Sequence, residues 1–361
     1  MCVVSERPRA TDGAILVPGS KANNLLRFGL LVVVVMAYAW AFTWNHGAYN
    51  FGVDINIPLQ AADRWLTGGT PYVASDFARD APLPPFMYPP YVLPLVAPLT
   101  VLPRTFVDVV WVFFLAVAAC WALRTLGIRA AAWPLLFFWP PLAEGVFAGN
   151  VQVLFLAALV ALYYRRLDDP RDVADPRGDP RRISVLSTLL PAIKVGQFHA
   201  WLHVLRRRPR AALAGAVIVA ALVLVTLPLT GASAWTDWLA QVQRAADPAW
   251  RLGGFSLIRL VPTLGSAVVI SAGIAVLFAK GPHAGALVGA LMVVGAPSLY
   301  LSGTLMLLPA LVTIRREIAL IGAALIATST YAGAWLGIFI VAVTIAAAER
   351  VPGLREPPAG A

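Results

Sequence analysis

Apolar residues run through this chain in long blocks separated by short polar clusters, not in the alternation of a half-buried strand or the narrow stripe of a surface helix. The blocks fall at 25–44, 88–103, 105–123, 130–147, 150–164, 183–205, 211–229, 262–279, 284–299, 302–314 and 318–348. A bilayer core about 30 Å thick takes about 20 apolar residues per helix. Several blocks are shorter than that and span only when tilted or helped by neighbours. Broken and half-length helices are tolerated in a membrane where protein or a water-filled cavity covers their backbone. The pattern therefore predicts an all-α, polytopic membrane protein with roughly ten to twelve transmembrane or half-length helices.

The polar intervals divide this transmembrane domain, residues 25–348, into its parts. Residues 1–24 and 349–361 read as cytoplasmic tails, the first disordered and with no apolar core of a cleavable signal. Two intervals are long enough to matter outside the lipid, 45–87 and 231–256. Both lie on one side, outside the cell, if the N-terminal tail, Arg206-Arg207-Arg208-Pro209-Arg210 and Arg315-Arg316 are cytoplasmic. Within the first loop, Ile55 to Leu66 shows a helical pattern with Ile57, Ala61, Trp65 and Leu66 on or near one face, which predicts an interfacial helix. The Arg- and Asp-rich interval 165–182 reads as cytoplasmic by its arginines. That makes 183–205 a re-entrant hairpin broken near Pro191 to Gly196, and the alternative is an outer loop followed by a single crossing.

Composition agrees with the hydropathy. Hydrophobic residues make up 59% of the 361 and charged residues 13%, whereas soluble domains are about 45–50% apolar. The net charge of +10 comes from short basic clusters between apolar blocks, as positive-inside loops supply it, so nucleic acid is not an expected partner. Cys2 and Cys120 make no staple, and no Cys/His spacing matches a metal site.

Candidate chemistry lies where polar groups interrupt apolar ones. Asp54 opens the interfacial helix, where it is a solvated acid, an N-cap or a catalytic carboxylate. Gly68-Gly69-Thr70-Pro71-Tyr72 and the Pro-dense run from Pro82 to Pro103 form a stiff approach to the next segment. Its Tyr72, Tyr88 and Tyr91 either anchor the interface or wall a site. A charge in mid-bilayer costs a few kcal/mol unless it faces a cavity or a partner. Two such clusters stand out: Glu144, Asn150 and Gln152 at one junction, and Lys194, Gln197, His199 and His203 at another. Gln197 and the histidines equally suit helix-to-helix hydrogen bonds. Lys194 suits an anionic phosphate or snorkels to a nearby surface. Arg251 and Arg259 flank Gly253-Gly254-Phe255-Ser256 and suit a phosphate, as a substrate group or as a lipid headgroup.

In this order, these residues resemble the polyprenol-phosphate-sugar-dependent glycosyltransferases of the GT-C superfamily, most closely glycosyltransferase family 87, the bacterial α-mannosyltransferases. The resemblance is carried by Asp54 after the first helix, by Gly69-Thr70-Pro71-Tyr72, by Tyr88-Pro89-Pro90 and by Gly149-Asn150-Val151-Gln152. Ala192-Ile193-Lys194 and Gly253 to Leu264 extend it, and Ala296 to Tyr300 stands where the family has a turn with an aromatic residue and histidines. This chain lacks that aromatic and those histidines.

The resemblance implies transfer of a hexose, mannose being the family's commonest cargo, from a polyprenyl-phosphate-linked donor to a glycolipid or glycan acceptor. The reaction takes place on the outer side of the plasma (inner) membrane, with inversion and with no cofactor or metal. It implies Asp54 as general base, Arg251, Arg259 and Lys194 at the donor phosphate, and Tyr72, Tyr88, Asn150, Gln152, Ser256 and Tyr300 lining the substrate cavity. The competing class is a lipid-linked sugar transporter or membrane scaffold. A transferase should gather Asp54, Arg251 and Arg259 on one outward cavity, whereas a transporter should gather its polar groups around Lys194.

Overall fold

The structure, a computed structural model, describes residues 51–78, 81, 83–164, 180–194, 197–246, 254–281, 283–348, 351 and 354. The expected first span, the N-terminal tail, most of the C-terminal tail, most of the 165–182 loop and Arg251 lie outside the described residues. Every regular element among those described is helical. The principal ones are α1 (Val53–Leu66), α2 (Arg104–Thr125), α3 (Pro140–Phe147), α4 (Gln152–Tyr163), α5 (Pro180–Ile193), α6 (His199–Arg207) and α7 (Pro209–Ala246). They are followed by α8 (Pro262–Leu277), α9 (Ala284–Val294), α10 (Arg316–Ala327) and α11 (Tyr331–Ala348).

Three of the described helices, α2, α7 and α11, are long and apolar enough to cross a bilayer, and the bent pair α3–α4 makes a fourth if it counts as one span. Their apolar residues face outward as well as inward: α2 exposes Phe106, Val109, Phe113 and Phe114, and α7 exposes Val217, Leu224 and Val225. A water-soluble helix would bury such a face, so lipid is the solvent these helices are built for. A count of ten to twelve requires the short apolar helices, among them α8 and α9, and segments outside the described residues to cross as well.

Several element boundaries differ from expectation for local reasons. Residues 88–103 form no span: Pro94 and Pro98 leave only a turn of α-helix at Val92–Val96 and a 3-10 turn at Ala97–Leu99. The helix that begins at Pro209 does not stop at Leu229. It kinks at Gly231, whose φ of 76° and ψ of 156° are non-helical, and continues to Ala246, so most of the interval expected as the second outer loop is helical. The block 318–348 is two helices, α10 and α11, parted by Thr328 to Thr330. α5 ends at Ile193 and α6 begins at His199, so the interval between them overlaps the expected break at Pro191 to Gly196, although Pro191 itself lies inside α5.

The core lies between α2, α4, α9 and α11, where Leu115, Leu156, Val288 and Val341 are fully buried. A smaller cluster under α1 holds Ile57, Ala61, Tyr72, Phe86 and Leu93, with Ala234 of α7. α1 therefore packs on protein along its Ile57–Ala61 face, while Leu66 is exposed.

Candidate active site

The bend between α3 and α4 is the feature on which the site is built. Pro140 and Pro141 start α3, where proline's missing N–H is no loss. Gly149, at φ 80°, ends it in a Schellman turn: Gly149 N–H donates to Val146 O at 3.2 Å and Asn150 N–H to Gly145 O at 2.8 Å. Asn150 then starts α4, because its Oδ1 accepts the Gln152 N–H at 2.9 Å. The two helices meet at 113°.

The N-terminus of α1 docks end-on against that turn. Gly52 N–H donates to Phe147 O at 3.0 Å and Asp54 N–H to Ala148 O at 2.8 Å. Two orphan carbonyls ending α3 thus take two orphan amides at the start of α1. The close approach depends on two glycines: a Cβ at Gly52 would stand 2.8 Å from the Asp108 side chain, and one at Gly149 would stand 3.0 Å from Trp111. Trp111 Nε1 donates to Gly149 O at 2.7 Å and locks the turn to α2. The N-cap of α1 is Gly52, so Asp54 is not spent as a cap.

Its side chain is instead hydrogen-bonded by Asn150 and lies in the field of Lys194. With the Asn150 Oδ1 occupied by the Gln152 amide, the Asn150 NH2 is the group left to donate to the carboxylate. Burial pushes the Asp54 pKa up to about 6, and the Asn150 hydrogen bond and the Lys194 charge act against that rise. A carboxyl that titrates there is matched to proton abstraction near neutral pH.

Other groups converge on Asp54. Glu144 of α3 lies against Ser302 and feels both Asp54 and Lys194. Lys194 stands just beyond α5, its Nζ 5.7 Å from the centre of the Tyr300 ring. Tyr88 and Tyr300 are within electrostatic reach of Asp54, and Arg259 is within reach of the Tyr300 hydroxyl. Asp54, Glu144, Asn150, Lys194, Tyr88, Tyr300 and Arg259 are all half-buried. Two carboxylates and two cations thus share one site.

The Pro-rich approach holds Tyr88 in place. Tyr72 donates its hydroxyl to Tyr88 O at 2.8 Å, its ring stacks near Phe86, and Trp238 Nε1 donates to Met87 O at 3.1 Å. The Tyr91 hydroxyl bonds Ala192 O, next to Lys194. Thr70 donates to Asp237 at 2.9 Å, and a bidentate fork from Arg64 to Asp76, at 2.5 and 2.9 Å, ties the end of α1 to the loop after it. That loop is therefore a braced wall.

Of the candidates read from sequence, the structure brings together Asp54, Asn150, Lys194, Arg259, Tyr88 and Tyr300. The Tyr72 hydroxyl is already used on Tyr88 O, and Gln152 and Ser256 are buried at helix starts. Glu144, seen in the sequence only as a neighbour of Asn150, joins the charged cluster because one turn of α3 separates it from the bend. Lys194 stands in the Asp54 cluster itself, so a gathering of polar groups around Lys194 does not mark a transporter here.

The model of glycosyltransferase family 87 matches residues 86–301. The chain belongs to glycosyltransferase family 87. It is a membrane glycosyltransferase, and its partners are a sugar donor and an acceptor. The matched region of the glycosyltransferase holds Tyr88, Glu144, Asn150, Lys194, Arg259 and Tyr300, and Asp54 precedes it by a loop and one helix. No curated protein and no solved structure matches the chain.

Proposed function

We propose that this glycosyltransferase moves a hexose, mannose, from a polyprenyl-phosphate-linked donor to a lipid- or glycan-borne hydroxyl by single in-line displacement with inversion. The observation that carries the reading is Asp54, held by Asn150 in a half-buried opening with Lys194 across from it. The Asp54 carboxylate takes the proton of the acceptor hydroxyl as that oxygen bonds to the anomeric carbon. The bond from the anomeric carbon to the phosphate oxygen breaks, and its electron pair leaves with the polyprenyl phosphate. Lys194 and Arg259, with Arg251 nearby in sequence, neutralise the phosphate monoester as it departs. The phosphate stays on its lipid, and neither a nucleotide nor a metal takes part.

The same reading puts the site on the outer side of the plasma membrane, with ten to twelve crossings when half-length helices are counted. Support comes from α7. It begins at the Arg206–Arg210 cluster, and its far part meets the site wall through Trp238 and Asp237. From Arg210 to the Gly231 kink the helix rises about 30 Å, the thickness of a bilayer core. Basic clusters stay cytoplasmic, so the wall and Asp54 face out.

The test is transfer of radiolabelled mannose from synthetic polyprenyl phosphate mannose to membrane glycolipid by vesicles containing the protein. Transfer lost in a folded Asp54→Asn variant supports both the reaction and its base. Transfer indifferent to Asp54 overturns the assigned base, and absence of transfer from every polyprenyl phosphate sugar overturns the donor.

A further inference from the structure

α11 reaches the candidate site through one peptide unit of another segment. The Phe255 N–H donates to Leu299 O at 2.7 Å, and the Phe255 carbonyl accepts the Trp335 Nε1–H at 2.6 Å. Both side chains are buried. Tyr331, the first residue of α11, sets its ring edge-on to Phe255 at 6.3 Å and donates its hydroxyl to Gly254 O at 3.4 Å. Tyr331 and Trp335 stand one turn apart on the same face of the helix, and both lie beyond the matched residues 86–301.

This contact is close and directed. A Cβ at Gly254, whose φ is 113°, would stand 2.6 Å from Leu299 O, so glycine is what lets the two segments meet. The start of α11 is fixed as well. Thr330 Oγ1 caps it by accepting the Gly333 N–H at 3.1 Å. Ser329, just before, holds φ 55°, the one positive φ of a non-glycine residue among those described. Such a conformation persists where the surroundings over-determine it.

The Phe255 peptide joins two parts of the site. Leu299, on one side, precedes Tyr300. On the other side, Ser256 opens the helical turn Leu257–Leu260, and its carbonyl accepts the Arg259 N–H at 3.1 Å. Gly265 of α8 lies against the backbone of Leu257 and Ile258, with no room for a Cβ, so the turn cannot retreat in that direction. α8 and α11 therefore hold the turn between them. Without the Trp335 N–H, the Phe255 carbonyl loses a donor in a buried place, and the peptide has reason to rotate.

We infer that Trp335 is a positioning residue for transfer: through the Phe255 peptide it sets Arg259, beside Tyr300, toward the departing phosphate. The inference rests on the proposed phosphate role of Arg259.

The test is a double-mutant cycle of Trp335→Phe and Arg259→Gln in the mannose-transfer assay, with hydrogen–deuterium exchange over residues 254–260 and thermal unfolding recorded for each variant. Trp335→Phe should lower kcat at saturating donor roughly five- to tenfold through one lost hydrogen bond. It should also quicken exchange over 254–260 and leave the acid limb of the pH–rate profile where it is. In the Arg259→Gln background the same substitution should cost less than about twofold, because the group it positions is already gone. Losses that multiply instead make Trp335 a general packing residue and overturn the inference. So does a folded Trp335→Phe variant with wild-type kcat or wild-type exchange, or one whose acid limb moves. If Trp335→Phe does not fold, 3-benzothienylalanine at position 335 keeps the bicyclic ring, lacks only the N–H and takes its place in the cycle. An Arg259→Gln variant as active as wild type removes the phosphate role of Arg259 and this inference with it. Absence of transfer from every polyprenyl phosphate sugar removes the donor reading alone; faster exchange over 254–260 then supports the positioning, and unchanged exchange overturns it.

Discussion

Asn150 joins Asp54 to the helix bend: its Oδ1 caps α4 at the Gln152 amide, and its side chain hydrogen-bonds the Asp54 carboxylate. One residue therefore sets both the turn of the backbone and the state of the acid. That hydrogen bond favours the ionised form, so Asn150→Ala should raise the Asp54 pKa above its present value of about 6. The acid limb of the pH–rate profile should then move to higher pH, an effect that a merely structural role for Asn150 would not produce.

A base works only when ionised. With Asp54 at about 6, kcat/KM should fall tenfold per pH unit below that value and level off above it. Asp54→Asn should abolish this limb together with about 10²–10⁴ of the rate. An acid limb that survives in Asp54→Asn would refute the assignment.

Lys194 acts on two quantities at once. Its charge lowers the Asp54 pKa, and it stands over Tyr300 beside Arg259. Lys194→Met should shift the acid limb upward and also reduce the rate with donor saturating, because a cation facing the leaving phosphate acts chiefly in the transition state. Arg259→Gln should lower the rate and leave the position of the limb where it was. Measuring both pH profiles separates the two cations.

The end-on docking of α1 on α3 admits no side chain at Gly149. An alanine there would meet Trp111 at 3.0 Å in a backbone of φ 80°. Gly149→Ala should destabilise the protein by about 1–3 kcal/mol and reduce transfer by displacing Asp54, read as a lower unfolding temperature in detergent beside the activity. Gly68→Ala is the control: φ there is also positive, at 81°, but nothing lies within 4 Å of an added Cβ, so stability alone should fall.

Several features were legible along the chain because they depend on local composition. Uninterrupted apolar blocks favour membrane helices, because a helix satisfies its own backbone in lipid, and the proline-broken block 88–103 is the exception. The helix beginning near Asp54, the proline-stiffened approach and a break close to Lys194 follow from residue types over a few positions. The ordered motifs were sufficient to indicate family 87, and the match over residues 86–301 shows it. The Gly231 kink escaped because a glycine bends a helix as readily as it ends one.

What the tertiary structure alone decided was which polar groups meet. Asp54 and Asn150 are far apart in sequence and are joined by the pairing of α1's free amides with α3's free carbonyls, a contact that side-chain chemistry does not signal. Glu144 enters the site through the 113° bend, and Lys194 through a chain break whose direction no periodicity encodes. Tyr72 spends its hydroxyl on Tyr88 O, and packing buries Gln152 and Ser256. Hydropathy is additive along a chain and is legible residue by residue, whereas a site is a set of long-range coincidences fixed by how helix ends and small residues let backbones approach.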